Sequence, residues 1–64
     1  MKYSELKRLL KQNGCYKVGE NGPHEKWFSP ISNKTFPVGR HDGNEVPIGT
    51  LNAIVKQAGL KYKE

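Results

Sequence analysis

The sequence predicts a two-layer α+β domain in which two amphipathic helices flank a run of three short strands. Apolar residues recur at helical spacing near both ends of the 64-residue chain, whereas its middle alternates short β-type runs with turn signals. Two such helices can bury their apolar stripes against one face of a small sheet. We therefore expect the order α-β-β-β-α in a single domain over residues 1–64, with a three-stranded antiparallel sheet and both helices on one face.

The first helix is expected over residues 4–13. Its apolar stripe consists of Leu6, Leu9 and Leu10. Ser4 is a candidate N-cap, and Gly14 can adopt the left-handed conformation that ends a helix. The cationic residues of this helix, Lys7 among them, lie mostly off the stripe. They are expected to face solvent, with contact to phosphates as the alternative.

The second helix is expected between Pro47 and Gly59. Its apolar stripe consists of Leu51, Ile54, Val55 and Ala58. The sequence leaves two possibilities for its start: Thr50 is the cap, or Pro47 is an early helical residue. Gly59 is expected to end the helix, with Leu60 following as in a Schellman motif. The basic tail, residues 61–64, is expected to fray.

Three strands are expected between the helices, at residues 15–20, 24–29 and 35–38. Asn21-Gly22 predicts a type I′ hairpin turn, and Gly19 suggests a bulge in the first strand. Residues 30–34 form a turn cluster, and residues 39–45 are expected to form a flexible polar loop. Pro37 cannot donate to a ladder, so it places the third strand at an edge and the second strand in the middle.

Side chains alternate between the two faces along the second strand. This puts His24, Lys26 and Phe28 on one face and Glu25, Trp27 and Ser29 on the other. Of the two adjacent aromatic residues, one is therefore expected in the core and the other beside it.

Size and charge restrict the classes of function. A chain of this length has little room for a deep pocket, so we expect no buried organic cofactor. Eleven Lys and Arg against six Asp and Glu give a net charge of +5. This excess favours a phosphate-bearing partner such as nucleic acid, or an acidic protein.

Cys15 is the only cysteine, which excludes a disulfide within the chain and fits a reducing cytoplasm. We expect it to be a small buried hydrophobic residue. No apolar run is long enough to span a membrane, so a cytoplasmic protein is expected.

The residues that can carry chemistry are few. Cys15, His24 and His41 lack metal-ligand spacing, so no metal site is expected. His24 has a side chain that can exchange a proton near neutral pH. RNA supplies its own nucleophile, the 2′-hydroxyl, so a basic domain with one histidine can cleave it without metal. From the residues alone a purely structural histidine remains the alternative, and the more common one.

Several stretches resemble one family. They are Gly22-Pro23-His24, Phe36-Pro37-Val38-Gly39-Arg40-His41, and residues 46–60, with the most specific pattern being Pro-x-Gly-Thr-Leu…Ile-x-Lys-Gln-Ala-Gly. With the opening Met1–Leu6 and Asn13-Gly14 they cover nearly the whole chain. The sequence resembles the HicA-type toxins.

This resemblance implies a fold like that of double-stranded-RNA-binding domains. It implies a ribosome-independent mRNA interferase of a bacterial type II toxin–antitoxin module, neutralised by a HicB-type antitoxin that covers the active surface. The catalytic histidine of the family corresponds to His24. The chain departs from the family at Pro23, where many members have a serine, and at Glu25, which follows the histidine where many have a second histidine or similar polar residue.

The function we predict is that of a metal-independent endoribonuclease without a cofactor. His24 is its general acid or base, and Lys17, Lys26 and Arg40 hold the RNA backbone. His41 is a candidate second acid or base, or a phosphate contact. The alternatives are a non-catalytic RNA-binding module of the same fold, and a small interaction protein whose basic face meets an acidic partner.

Overall fold

The computed structural model describes residues 1–60 and confirms the predicted order of elements. They are α1 (Tyr3–Gln12), β1 (Tyr16–Asn21), β2 (His24–Ser29), β3 (Lys34–Gly39) and α2 (Ile48–Ala58). The strands form an antiparallel sheet in the order β1-β2-β3, with β2 in the middle and Pro37 in an edge strand. The architecture is the α+β arrangement of a double-stranded-RNA-binding domain. The tail at residues 61–64, which is predicted to fray, lies outside the described residues.

One hydrophobic core lies between the sheet and the two helices. Trp27 and Phe36 are paired across β2 and β3, so both side chains point to the same face. The buried apolar residues are Leu6, Leu10, Cys15, Trp27, Phe36, Val38, Val46, Leu51, Ile54 and Ala58. Because both helices contribute to this one cluster, they cover one face of the sheet and leave the other open. As expected, Cys15 is buried, and of the adjacent aromatic residues Trp27 lies in the core.

Ser29 fixes the end of β2 to α2. Its side chain is fully buried, and its hydroxyl donates to the carbonyl oxygen of Ala58 at 2.6 Å. The Ser29 hydroxyl oxygen in turn accepts a hydrogen bond from the backbone N–H of Ile31 at 3.2 Å. These bonds occupy the hydroxyl and position the sheet against the helix layer.

The start of α1 differs from the prediction. Lys2, not Ser4, is the N-cap residue. The backbone N–H groups of Tyr3 and Ser4 donate to the carbonyl oxygens of Asn44 and Asp42, at 3.0 and 3.1 Å. These tertiary contacts satisfy amide groups that a side-chain cap would otherwise satisfy. They also bond the polar loop after β3, which the sequence predicts to be flexible, to the helix.

The start of α2 matches neither predicted alternative. Pro47 is the N-cap residue, and its carbonyl oxygen accepts the N–H of Leu51 at 2.9 Å. Thr50 lies inside the first turn of the helix. Ile48 is therefore the first helical residue.

Both helix ends at a glycine are confirmed. Gly14 and Gly59 have φ of 86° and 72°, in the left-handed region. After α2, the N–H of Leu60 donates to the carbonyl oxygen of Val55 at 3.1 Å, and that of Gly59 donates to Lys56 at 3.2 Å. This pair of bonds is a Schellman motif.

The hairpin turn between β1 and β2 is not the predicted type I′ turn over Asn21-Gly22. Asn21 is paired with His24, which makes Gly22 and Pro23 the two central residues. Gly22 has φ of 62°, whereas Asn21 has no positive φ. Proline fixes its own φ near −65°, so only the first central residue can be left-handed, as in a type II′ turn. His24 is consequently paired from the first residue of β2.

The predicted bulge in β1 is confirmed. The register passes from Lys17 opposite Trp27 to Gly19 opposite Lys26, so Val18 is the extra residue. The bulge shifts the alternation of β1 by one residue. Even-numbered residues before the bulge therefore share a face with odd-numbered residues after it.

Candidate active site on the open face of the sheet

The face of the sheet that the helices do not cover is called the open face below. Cross-strand partners share a face, so the register defines its members. They are Tyr16, Gly19, Asn21, His24, Lys26, Phe28, Thr35, Pro37 and Gly39. None of these strand residues is acidic. The acidic residues of the strands, Glu20 and Glu25, are paired with each other on the helix-covered face.

His24 and Lys26 lie next to each other on the open face. Both side chains are exposed, and two residues of β2 separate neighbours on one face by about 7 Å. Within residues 1–60, Lys26 forms no ion pair, unlike the cations at the edges of the sheet. An imidazole and an uncompensated ammonium group thus point to the same side of the molecule.

A shallow depression runs beside these two side chains. Its volume is about 260 Å³, and it is lined by Asn21, His24, Glu25, Lys26, Thr35, Phe36 and Pro37. The cross-strand partners of His24 and Lys26 include Gly39 and Gly19, which carry no side chain. The depression is therefore open beside β2, which suits a chain-like ligand better than a small molecule.

Tyr3 of α1 packs against the hydrophobic core and lies beside Gly39, the cross-strand partner of His24. A β carbon at Gly39, the partner of His24, would lie only 3.0 Å from Cζ and 3.3 Å from the hydroxyl oxygen of Tyr3. The absence of a side chain at Gly39 permits this approach of α1 to β3. No pattern in the sequence indicates it, because Tyr3 and Gly39 are more than thirty residues apart along the chain.

Glu25 does not orient His24, although the two are adjacent in sequence. Its Oε1 accepts a hydrogen bond from Nε1 of Trp27 at 3.0 Å and lies 3.3 Å from Nζ of Lys7. Burial raises the pKa of the Glu25 carboxyl, but the bonds from Trp27 and Lys7 outweigh burial and leave the pKa below its ordinary value. The opposite orientation of these neighbours, expected from strand alternation, is confirmed.

In the described part of the chain, Lys17 and Arg40, unlike Lys26, are paired with carboxylates. Lys17 Nζ lies 3.3 Å from Glu20 and 3.8 Å from Glu25. Nη2 of Arg40 lies 3.0 Å from Oε1 of Glu20, and its Nη1 donates to the carbonyl oxygen of Gly22 at 3.0 Å. Both cations are thus on the side of Glu20, at the edge of the helix-covered face, where carboxylates partly neutralise them. Their side chains remain about half exposed, so a role in RNA binding stays a prediction.

His41 lies beyond β3, in the loop that is bonded to α1. It is exposed, and its carbonyl oxygen accepts the N–H of Asn44 at 3.0 Å. The register does not place it on the open face. Its predicted role as a second acid or base, or as a phosphate contact, stays a prediction.

Groups of metal-ligand type are dispersed over the part of the chain that the structure describes. Within it, no three His, Cys, Asp or Glu side chains come together as a metal site would require. In the same part of the chain, neither helix has the length and apolar character needed to cross a membrane.

The fold and the site define a small basic domain of the double-stranded-RNA-binding type, with an exposed histidine and lysine on its uncovered sheet face. Comparison with known families gives a match of residues 3–60 to the family described as "HicA toxin of bacterial toxin-antitoxin". The chain belongs to this HicA toxin family, as its sequence motifs indicate.

A curated relative supports the same assignment. The "Probable mRNA interferase HicA" of Pseudomonas fluorescens (strain Pf0-1) is 39% identical over 61 residues, which cover 95% of this chain and 98% of the relative. Comparison with solved structures gave no significant match.

Proposed function

We propose that the protein is an mRNA interferase, a ribosome-independent endoribonuclease toxin that acts in the cytoplasm without a metal. The observation that carries the proposal is the exposed pair of His24 and Lys26 on a sheet face whose strand residues include no carboxylate. An anionic backbone can approach this face without electrostatic repulsion from it. The name of the Pseudomonas relative describes the same activity.

In the proposed reaction RNA supplies the nucleophile. The 2′-hydroxyl attacks the adjacent phosphorus, the bond to the 5′-oxygen breaks, and the products are a 2′,3′-cyclic phosphate and a 5′-hydroxyl. His24 acts as the general base that takes the 2′-hydroxyl proton or as the general acid that protonates the leaving oxygen. One such proton transfer contributes about 10²- to 10⁴-fold in rate.

Lys26 supplies the positive charge in this scheme. Negative charge builds up on the phosphoryl oxygens in the transition state, and a nearby ammonium group stabilises it without proton transfer. Because Lys26 has no carboxylate partner within the described residues, its charge is available to a phosphate. The dispersed metal-ligand groups are consistent with a cation of the protein taking the place of a divalent ion.

We further propose that a HicB-type antitoxin inhibits the toxin by covering the open face. His24 and Lys26 project from a regular sheet, with no loop of the described chain forming a lid. An inhibitor that occupies this face therefore blocks substrate access without any rearrangement of the toxin. Carboxylates on such a partner would match the net charge of +5.

Substitution of His24 tests the proposal directly. Because this side chain is exposed, His24→Ala should change the free energy of unfolding by no more than about 0.5 kcal/mol. Cleavage of RNA by the purified protein should fall about 10²- to 10⁴-fold, and cells expressing the variant should grow. His24→Gln should behave alike, since its amide cannot exchange protons. Asn52→Ala, at an exposed position on α2, is the matched control and should cleave normally.

The result that would overturn the catalytic role is cleavage by folded His24→Ala at the wild-type rate. Wild-type protein that binds RNA but never cleaves it would favour the non-catalytic RNA-binding module instead. His41→Ala, measured alongside, reports whether the second histidine contributes to the rate.

A further inference from the structure

Two aromatic side chains face each other on the open face, at the opposite end of β2 from His24. Tyr16 and Phe28 are direct cross-strand partners, with ring centroids 5.6 Å apart and ring planes inclined by 51°. Tyr16 is 52% exposed, and Phe28 is half-buried. Both lie on the other side of the sheet from Trp27, so the hydrophobic core does not account for them.

We propose that Tyr16 and Phe28 form a stacking platform for an unpaired RNA base, which makes single-stranded RNA the substrate class of the open face. This inference rests on the proposed ribonuclease function and extends it from the scissile phosphate to the neighbouring nucleotides. Tyr16 presents the accessible ring, and Phe28 supports it from the next strand.

The chemistry of the pair suits a base. Every nucleobase has a flat π-face, so an exposed aromatic ring binds it with little dependence on sequence. Contact with Phe28 restricts the ring of Tyr16 before RNA arrives, which lowers the entropy cost of binding.

The spacing along β2 also fits one continuous strand of RNA. Phe28 is four residues from His24, or about 13 Å. Phosphates of one stacked strand are about 3.4 Å apart along its axis, so at most about four nucleotides span this distance. Lys26 lies midway on the same face, where it can contact the backbone between the stacked base and the scissile phosphate.

The platform favours single strands over duplexes. In a duplex both faces of each base are already covered by neighbouring base pairs, so a ring on a flat sheet has no base face to contact. Tyr16 and Phe28 lie on the same face as His24 and Lys26, and none of the strand residues on this face is a carboxylate. This continuity favours RNA over an acidic protein as the occupant.

The test measures binding rather than cleavage. The probe is a short 2′-O-methylated RNA strand, which lacks the nucleophile, used alone and annealed to its complement. Tyr16→Leu should bind the single strand about 5- to 150-fold more weakly, the range expected for loss of one stacked base. Tyr16→Phe should bind like wild type because it keeps the ring. Ile48→Ala, which removes another exposed apolar side chain, is the matched control and should bind normally.

A second measurement does not depend on a variant that folds. A fluorescent 2-aminopurine base placed in the single strand should be quenched on binding wild-type protein, because stacking quenches it. An equal wild-type affinity for duplex and single strand, or no quenching at any position, would overturn the platform. So would a Tyr16→Leu protein that keeps RNA binding but loses a co-expressed antitoxin, since the pair would then be a protein contact.

The platform and the proposed function can fail separately. If Tyr16→Leu binds the single strand as tightly as wild type while His24→Ala loses cleavage, the platform is wrong and the catalytic proposal stands. If wild-type protein never cleaves but needs Tyr16 to bind single strands, the ribonuclease proposal is wrong and the platform stands.

Discussion

Lys7 of α1 and Glu25 of β2 form an ion pair at the edge of the core, with Nζ and Oε1 3.3 Å apart. Lys7 is only 9% exposed, so the prediction that it faces solvent is wrong. Its ammonium group also contacts the carboxylate of Asp42 in the loop after β3. Lys7 therefore connects the first helix, the central strand and that loop.

Loss of this connection should destabilise the protein. In Lys7→Met the aliphatic bulk remains, but the mostly buried carboxylate of Glu25 loses a charged partner. Hydrogen bonds to charged groups contribute about 1.5–3 kcal/mol, and we expect the free energy of unfolding in urea to fall by that amount. Lys11→Met on the same helix removes an exposed charge and should cost less than about 0.5 kcal/mol. Equal effects of the two substitutions would contradict this account.

The same pair makes stability depend on pH. The pKa of Glu25 is lower in the folded protein than in the unfolded chain, so the unfolded chain takes up the proton first. Stability from this group is complete above the ordinary glutamate pKa of 4.5 and is lost as the pH falls through the lowered folded value. Unfolding measured across this range should show a smaller decline in Glu25→Gln than in wild type. An unchanged pH profile would exclude Glu25 as a source of the dependence.

Phosphate contacts should be concentrated at Lys26. For single-stranded RNA each contact adds about 0.7 to the slope of log affinity against log salt concentration. Lys26→Ala should reduce the slope by about that amount, whereas Lys56→Ala removes the same charge from α2 and should leave it unchanged. Arg40→Ala should have a smaller effect than Lys26→Ala, because Glu20 already compensates Arg40. If all three substitutions reduced the salt-dependence slope equally, RNA would be bound by a diffuse electrostatic surface and not mainly by Lys26.

Cleavage should persist in excess chelator. The described residues offer no cluster of metal ligands, and Lys26 supplies the positive charge in the proposed mechanism. The assay uses an unstructured single-stranded oligonucleotide, so that removal of divalent ions does not alter the fold of the substrate. Activity that disappears in chelator and returns with one divalent ion would show that the mechanism requires a metal.

The fold could be predicted because its main signals are local. Helical spacing of leucines, glycines at helix ends and proline in an edge strand each act within a few residues, and the boundaries of β2 agree with the prediction. The N-cap of α1 could not be predicted. Carbonyl groups of a loop some forty residues away satisfy the first amides of the helix, and no local pattern at Ser4 reports them.

The site could be predicted along β2 and not beyond it. Strand alternation alone places His24 and Lys26 together and separates them from Glu25. On β1 the extra residue Val18 shifts the alternation of side chains between the two faces. The faces on which Tyr16 and Lys17 lie therefore follow only from the register with β2. The pairing of Arg40 with Glu20 joins residues from opposite edges of the sheet and is likewise a tertiary property.

The alternation of β2 has a consequence for how such a toxin can evolve. Under the proposed mechanism, substitution at positions 24 and 26 alters the chemistry at little cost to folding, whereas Trp27 and Ser29, buried beneath the helices, tolerate little change. Lineages can therefore tune or silence activity by point mutation and still produce a folded protein. An inserted or deleted residue within β2 instead exchanges the two faces downstream of it, burying charge and exposing tryptophan. Drift in this strand should proceed by replacement, with its length held constant.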